Sequence, residues 1–301
     1  MLFNLPNKVV KIWAFFLVLA GGFLLGVNYG ILITQNRTVK TTVQASISQE
    51  EYSKVEEKVL PAEGFTLPLT WGDIGPKLIS WGVIDEEKFK KLVSPTAEQE
   101  EILTKGGETP ITINYQNSQF VVDMLWAAGL AQKSIVYTQG PMGTDYKKDV
   151  GNFSSTAGWT LAKGDAVGHL GKHELVSSNE SDQRRVVEIA KNVFRPCCGN
   201  STYFPDCNHG MAALAAIELM IAKGMSDEEI YKNVLKLNSF WFPQTYLVNA
   251  VYFEKQGVSW DKVDAKLVLG AAYSSASGAA DISKKVGPLP GQNSGGGGCG
   301  A

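Results

Sequence analysis

From Ile12 to Ile33 the chain runs IWAFFLVLAGGFLLGVNYGILI, 22 residues with only Asn28 and Tyr29 as polar interruptions. As a helix this run would measure about 33 Å, enough to cross the hydrocarbon core of a bilayer. Trp13 and Tyr29 stand near its ends, where interfacial aromatics sit. The run is longer than the apolar core of a cleaved secretory signal, and no A-x-A site follows it, so it predicts an uncleaved signal anchor over residues 12–34. Lys8 and Lys11 before the run are matched by Arg37 and Lys40 after it, and the amino terminus tips the balance toward N-inside. Residues 1–11 are then a cytoplasmic N-terminus and the bulk of a single-pass chain is extracytoplasmic. What remains is about 260 residues, room for one large or two small globular units.

A chain that is 44% hydrophobic and 19% charged can bury a sizeable core, which excludes collagen and disorder throughout. With one long apolar run it is no multi-span transporter. Its net charge of −2 and its lack of any Lys/Arg block exclude a nucleic-acid partner. Residues 35–62 are polar and charged and are expected to form a stalk. Beyond them helical punctuation dominates, which predicts a mainly α, helical-bundle domain. A first helical region, 63–168, contains an irregular Gly/Ser/Thr-rich segment. Its expected helices are Trp71–Trp81, Asp85–Val93 with Asp85 as N-cap, and Ser118–Ala128; Ile135–Thr138 reads as a short strand.

The second region, 169–286, is more regular. Val186, Val187, Ile189, Ala190 and Val193 form a helical stripe, and Met211–Ala222 is almost wholly apolar. Ser226 and Glu229 match a capping box, Pro243 suits a first helical turn, and Ser259 is expected to open a helix ending near Gly270. Residues 287–301 predict a flexible Gly-rich tail. Trp71, Trp81, Trp126 and Trp159 are expected in the core. Sequons begin at Asn36, Asn152, Asn179 and Asn200 and matter only in a eukaryotic secretory setting.

All three histidines and three of the four cysteines lie between His169 and His209, a window of 41 residues. Asp165, His169 and His173 are spaced by four, so a helix there would place them on one face, although Gly168 and Gly171 oppose it. Taken alone, His169 and His173 read as ordinary hydrogen-bonded histidines, because two imidazoles are a partial ligand set. Cys197, Cys198, Cys207 and His209 are more specific. Thiolates and imidazoles together select soft or borderline cations, copper first and zinc next, with Hg(II) also compatible. Cys207 stands just before the Met211 helix, where the helix dipole favours the thiolate.

Adjacent Cys197 and Cys198 are too close for an ordinary disulfide, so either would pair with Cys207. A Cys198–Cys207 bridge, worth about 2.7 kcal/mol by loop entropy, is the structural alternative.

The order Arg195-Pro-Cys-Cys-Gly-Asn-Ser201, then Phe204-Pro-Asp-Cys-Asn208, a helix, and Ala222-Lys-Gly-Met-Ser-Asp-Glu-Glu-Ile230 resembles the cysteine region of the CcmH-type thiol oxidoreductases of cytochrome c maturation. The resemblance covers residues 195–230. It implies a membrane-anchored extracytoplasmic helical domain whose cysteines exchange disulfides, with Cys198 the counterpart of the second motif cysteine and Cys198 or Cys207 the nucleophile. That family separates its two cysteines by two residues; here they are adjacent, and Cys207 and His209 are additions that favour metal ligation. The layout is also similar to bacterial lipoproteins with a Pro-Cys-Tyr-Cys-Gly-Cys motif.

Three expectations follow. The first is a soft-metal protein using Cys197, Cys198, Cys207 and His209, with His169 and His173 as further contributors. The second is a thiol-disulfide oxidoreductase, and the third an anchored interaction module with a structural disulfide. In the first two, a metal- or thiol-exchange protein is the expected partner, and Cys299 in the Gly-rich tail is a possible mobile thiol.

Overall fold

The computed structural model describes residues 47–290. The expected anchor at 12–34 and the tail bearing Cys299 lie outside the described residues. Among the described residues no helix is long and apolar enough to cross a membrane. They are mainly helical, with thirteen α-helices and one two-stranded hairpin.

The first helix, α1 (Gln49–Val59), corrects the stalk expectation. Ser48 and Glu51 close a capping box, and Tyr52, Val55 and Val59 recur at helical spacing as a buried stripe. That stripe packs on a later helix, α10 (Pro243–Glu254), where Lys58 reaches Glu254 and Ser259. A segment with few apolar residues is thus ordered because those few fall on one face.

Strand β1 (Phe65–Gly72) buries Leu67, Leu69 and Trp71 on alternate residues and pairs antiparallel with β2 (Gly107–Ile113). Trp71 therefore ends a strand; the helix expected from it, α2 (Ile74–Ser80), starts only after a left-handed Gly72. Helices α3 (Glu86–Val93) and α4 (Ala97–Thr104) complete the excursion between the strands, and Asp85 caps α3 through the Lys88 amide. Trp71 and Trp159 are buried; Trp81 and Trp126 pack half-buried against the core.

The core is organised by α5 (Ser118–Ala131) lying along α8 (Asn208–Ala222), both almost wholly buried. Small residues bring the two backbones together. A Cβ on Gly129 would stand 2.3 Å from the Met211 carbonyl oxygen, so α5 runs on to Ala131 and Gly129 is a packing glycine within it, where the sequence suggested a stop. Helix α7 (Glu180–Ala190) flanks α8 on one side and α9 (Asp227–Trp241) on another, α9 opening with the Ser226–Glu229 box.

Short helices α11 (Ala265–Leu269), α12 (Ala271–Ser274) and α13 (Ala276–Val286) close the fold against α9 and α10. Three local expectations are corrected. Ile135–Thr138 belongs to a helical turn, α6 (Val136–Gln139); Ser259 precedes a 3-10 turn, Trp260–Lys262; and Asp165–Leu175 holds only the 3-10 turn Ala166–His169. Gly171, at φ +62, ends any helix there.

Glu218 on α8 is 3% exposed, and its carboxyl oxygens make no hydrogen bond of normal geometry. Burial pushes its pKa up to about 8, only slightly offset by nearby Ser134. Since the folded value lies above the unfolded one, folding loses stability as pH rises from about 4.5 through 8. Glu218→Gln should match the wild type in denaturant unfolding near pH 4 and exceed it by a few kcal/mol, on the order of the linkage limit, near pH 9. Gly129→Ala should lower stability by about 1–3 kcal/mol in thermal unfolding, because a backbone oxygen cannot yield to the added methyl.

Candidate metal centre

Arg195 is the largest fully buried side chain, 1% exposed. A guanidinium stripped of water must be paired and hydrogen-bonded, and its surroundings engage four of its five N–H donors. Nε donates to Cys207 Sγ at 2.9 Å, Nη2 to Asp206 Oδ1 at 2.6 Å and to the Phe204 carbonyl at 2.9 Å, and Nη1 to the Asn200 carbonyl at 3.3 Å. Asp206 Oδ2 in turn accepts from Asn200 Nδ2 at 2.8 Å, so the amide of that sequon is engaged in the site. Space for the guanidinium exists because residue 210 lacks a side chain: a Cβ there would lie 2.5 Å from Arg195 Cζ.

Cys207 is the N-cap of α8, and its sulfur also accepts from the Gly210 amide at 3.4 Å. The Cys197–Cys198 turn is brought to it by pins on three other elements. Phe194 N donates to Leu269 O of α11, Asn238 Nδ2 of α9 donates to Phe194 O, and Ala276 N at the start of α13 donates to Cys198 O at 2.9 Å. Cys197 Sγ then lies 3.5 Å from Cys207 Sγ, and all three sulfurs lie within 4.8 Å of one another as free thiols. Cys197 and Cys207 are thus in direct contact, whereas the disulfide weighed from the sequence joins Cys198 to Cys207.

The cluster is electrostatically asymmetric. Hydrogen bonds from Cys197 and Cys198 hold the Cys207 thiol well below the ordinary range, and Arg195 adds its charge and its Nε bond, against the opposing effect of burial. Cys197 is pushed up by its bonds to Cys198 and Cys207 and by burial. Cys198 is pulled down by Cys197, but its bond to Cys207 and its burial outweigh this and leave it raised. One thiolate thus sits on two thiol donors. The dipole of α8 brings its positive end to Cys207, while the first amide of α13 is spent on the Cys198 carbonyl. Three thiolates about 2.3 Å from one ion would stand about 4.0 Å apart, so the sulfurs need only small shifts to hold a metal.

His209 is not in this cluster. It is 8% exposed and packs against Phe242 at 4.5 Å and Trp241 at 5.8 Å between ring centres. Burial pushes its imidazole down to about 4, with Cys207 acting upward and Arg195 downward. With Cys197, Trp241, Phe242 and Ala280 it lines a cleft of about 430 Å³ beside the cluster. His169 and His173 are also apart from the sulfurs. Their rings meet at 3.2 Å (Nδ1 to Nε2), and His173 stacks on Trp81, its pKa lowered by burial, His169 and Lys133. Asp165, expected beside them, instead caps its own turn through the Val167 amide. Among the described residues the three cysteines form the one group of three or more candidate ligands close enough to hold an ion.

Comparison with known protein families, with curated proteins and with solved structures returns no match for this chain. The three sulfurs are near enough to bind a metal. Arg195, Asp206 and Gly210 were given no role by sequence reasoning. The available signal was a lone arginine beside the cysteine pair, with an acid and a glycine flanking the third cysteine.

Gly210→Ala should displace the guanidinium and return Cys207 toward the ordinary thiol range. Thiolate ultraviolet absorbance followed against pH should show the lowest thiol titration in the wild type move upward in this variant; an unchanged midpoint would mean that Arg195 does not set it.

Proposed function

We propose that this protein binds a soft or borderline metal ion through Cys197, Cys198 and Cys207, on a domain held at a membrane by the Ile12–Ile33 segment. The observation that carries the reading is the convergence of three free sulfurs around a buried arginine. Cu(I) accepts three thiolates, whereas Zn(II) requires a fourth ligand. The ion arrives by exchange from a donor, and Cys197 is the entry point because it is the cysteine that lines the cleft. Arg195 offsets the negative charge that thiolates accumulate on deprotonation. His209 lies beside the entry point, and His169 with His173 contributes nothing to the cluster.

A second reading is favoured by the 3.5 Å contact between Cys197 and Cys207. In thiol-disulfide exchange of the kind the CcmH-type resemblance implies, the Cys207 thiolate would attack an external disulfide, releasing the first partner thiol and leaving a mixed disulfide. Cys197 would then lose its proton and displace the second partner thiol, closing a Cys197–Cys207 bond and reducing the partner by two electrons. The metal reading is preferred because exchange needs two sulfurs and the site assembles three.

Elemental analysis of the reduced chain after loading with Cu(I) or Zn(II) and desalting should give one ion per chain. Cys197→Ser combined with Cys198→Ser should abolish retention. If the double variant retains metal as the wild type does, the thiolate site is wrong. Reversible formation of a Cys197–Cys207 disulfide by wild type that holds no metal would establish the second reading instead.

A further inference from the structure

Spacing, donor number and charge at the three sulfurs select among the soft ions. Cys197 Sγ and Cys207 Sγ lie 3.5 Å apart, and all three sulfurs lie within 4.8 Å of one another. A planar three-thiolate centre with bonds of about 2.3 Å spreads its sulfurs to about 4.0 Å, whereas a pyramidal centre with similar bonds and nearly right angles draws them to about 3.3 Å. The Cys197–Cys207 contact is nearer the pyramidal figure. Among the described residues, the group close enough to share an ion holds no His, Asp or Glu beside the three cysteines. Tetrahedral zinc is then one ligand short. A pyramidal ion, whose lone pair takes the fourth position, is complete.

Charge separates the candidates further. Three thiolates make a dianion around Cu(I), a monoanion around Zn(II) and a neutral centre around As(III). Arg195, the guanidinium bonded to Cys207, is itself paired with Asp206 at 2.6 Å, so these two charges cancel. A neutral centre leaves no charge to be compensated in a half-buried site, which a dianion would. The approach is uncharged as well. The cleft that reaches Cys197 is lined by no Asp, Glu, Lys or Arg, so a neutral solute enters it without facing a charge of either sign.

We infer that the site takes trivalent arsenic, captured from solution as neutral arsenous acid through the cleft and held by Cys197, Cys198 and Cys207. The inference rests on the metal reading above and names the class of ion that the three sulfurs fit. Three As–O bonds break and three As–S bonds form. Each thiol proton leaves with a hydroxyl as water, arsenic stays trivalent, and no electron moves. Unlike Cu(I), arsenous acid is stable free in water, so its capture needs no donor protein.

Intact-mass measurement of the full chain, reduced with a phosphine because dithiols compete for arsenic, tests this. Wild type mixed with arsenite should gain one arsenic and lose three hydrogens, and the loaded protein should no longer take up Cu(I). Cys198→Ser should keep a hydroxyl on the arsenic, losing two hydrogens in place of three. A third preplaced thiol multiplies affinity by its effective concentration, so this variant should bind arsenite about a hundredfold more weakly. Cys197→Ser should do the same, which guards against a folding defect peculiar to one variant.

Wild type that loads Cu(I) but not arsenite would overturn the inference and leave the metal reading standing. Loss of two hydrogens by wild type would also overturn it, since the arsenic would then sit on a dithiol. So would Cys299→Ser reducing the wild-type loss from three hydrogens to two, because the third sulfur would then come from outside the cluster. Arsenic-loaded protein that still takes up Cu(I) as before would place the arsenic elsewhere and sink the idea equally. Uptake of neither ion would remove the metal reading itself, and this inference with it.

Discussion

The arrangement of the cysteine loop follows from a positive charge in the wrong place. Arg195 is inside the protein, where an unpaired guanidinium would be prohibitively costly, and every neighbouring feature answers that demand. Asp206 supplies the countercharge, Asn200 orients Asp206, two loop carbonyls take two more donors, and Cys207 accepts from Nε. The same guanidinium that closes the loop therefore helps hold Cys207 as a thiolate, so the loop's stability and its chemistry share one cause. An apolar replacement of similar volume would satisfy packing, but it would remove the charge and the Nε bond that Arg195 adds to the Cys197 and Cys198 hydrogen bonds in favouring the thiolate.

Close packing of α5 on α8 gives this loop a rigid base. Gly129 and the alanines of both helices let the backbones approach, which sets the position of the α8 N-terminus and hence of its cap, Cys207. Gly210 serves two ends at once, lying in the first turn of α8 and leaving room for Arg195. The other side of the cluster, Cys197 and Cys198, hangs from α11 and α13 through backbone hydrogen bonds and from α9 through the Asn238 side chain. The cluster thus forms where two parts of the second half of the chain meet on a core shared with the first, and its geometry depends on elements far from it in sequence.

Sequence proximity misled in one informative way. Cys207 and His209 are two residues apart, yet the helix that begins between them directs the cysteine to the loop and the imidazole to the aromatic cleft. His169 and His173, by contrast, do meet, although the helix expected to bring them together is broken; a 3-10 turn and a left-handed Gly171 achieve the contact by another route. Spacing arguments are conditional on the backbone they assume, and glycine changes that backbone.

The helical character, the Ser226 capping box, the Asp85 cap, the buried α8 and the concentration of cysteines were all legible in the residues, because each depends on local periodicity or on a side chain within a few positions of its partner. The packed helix Gln49–Val59, the hairpin joining residues 65–72 to 107–113, and the burial of Arg195 were not. Each depends on what lies opposite in space: a surface on α10, a strand some forty positions away, an acid and a carbonyl ring across a loop. The sequence by itself determined that thiols and imidazoles would be gathered in one stretch of a mainly helical chain. Only the tertiary structure decided that three thiols would share a site and the imidazoles would not, because the direction of a side chain is set by the packing of the element that carries it.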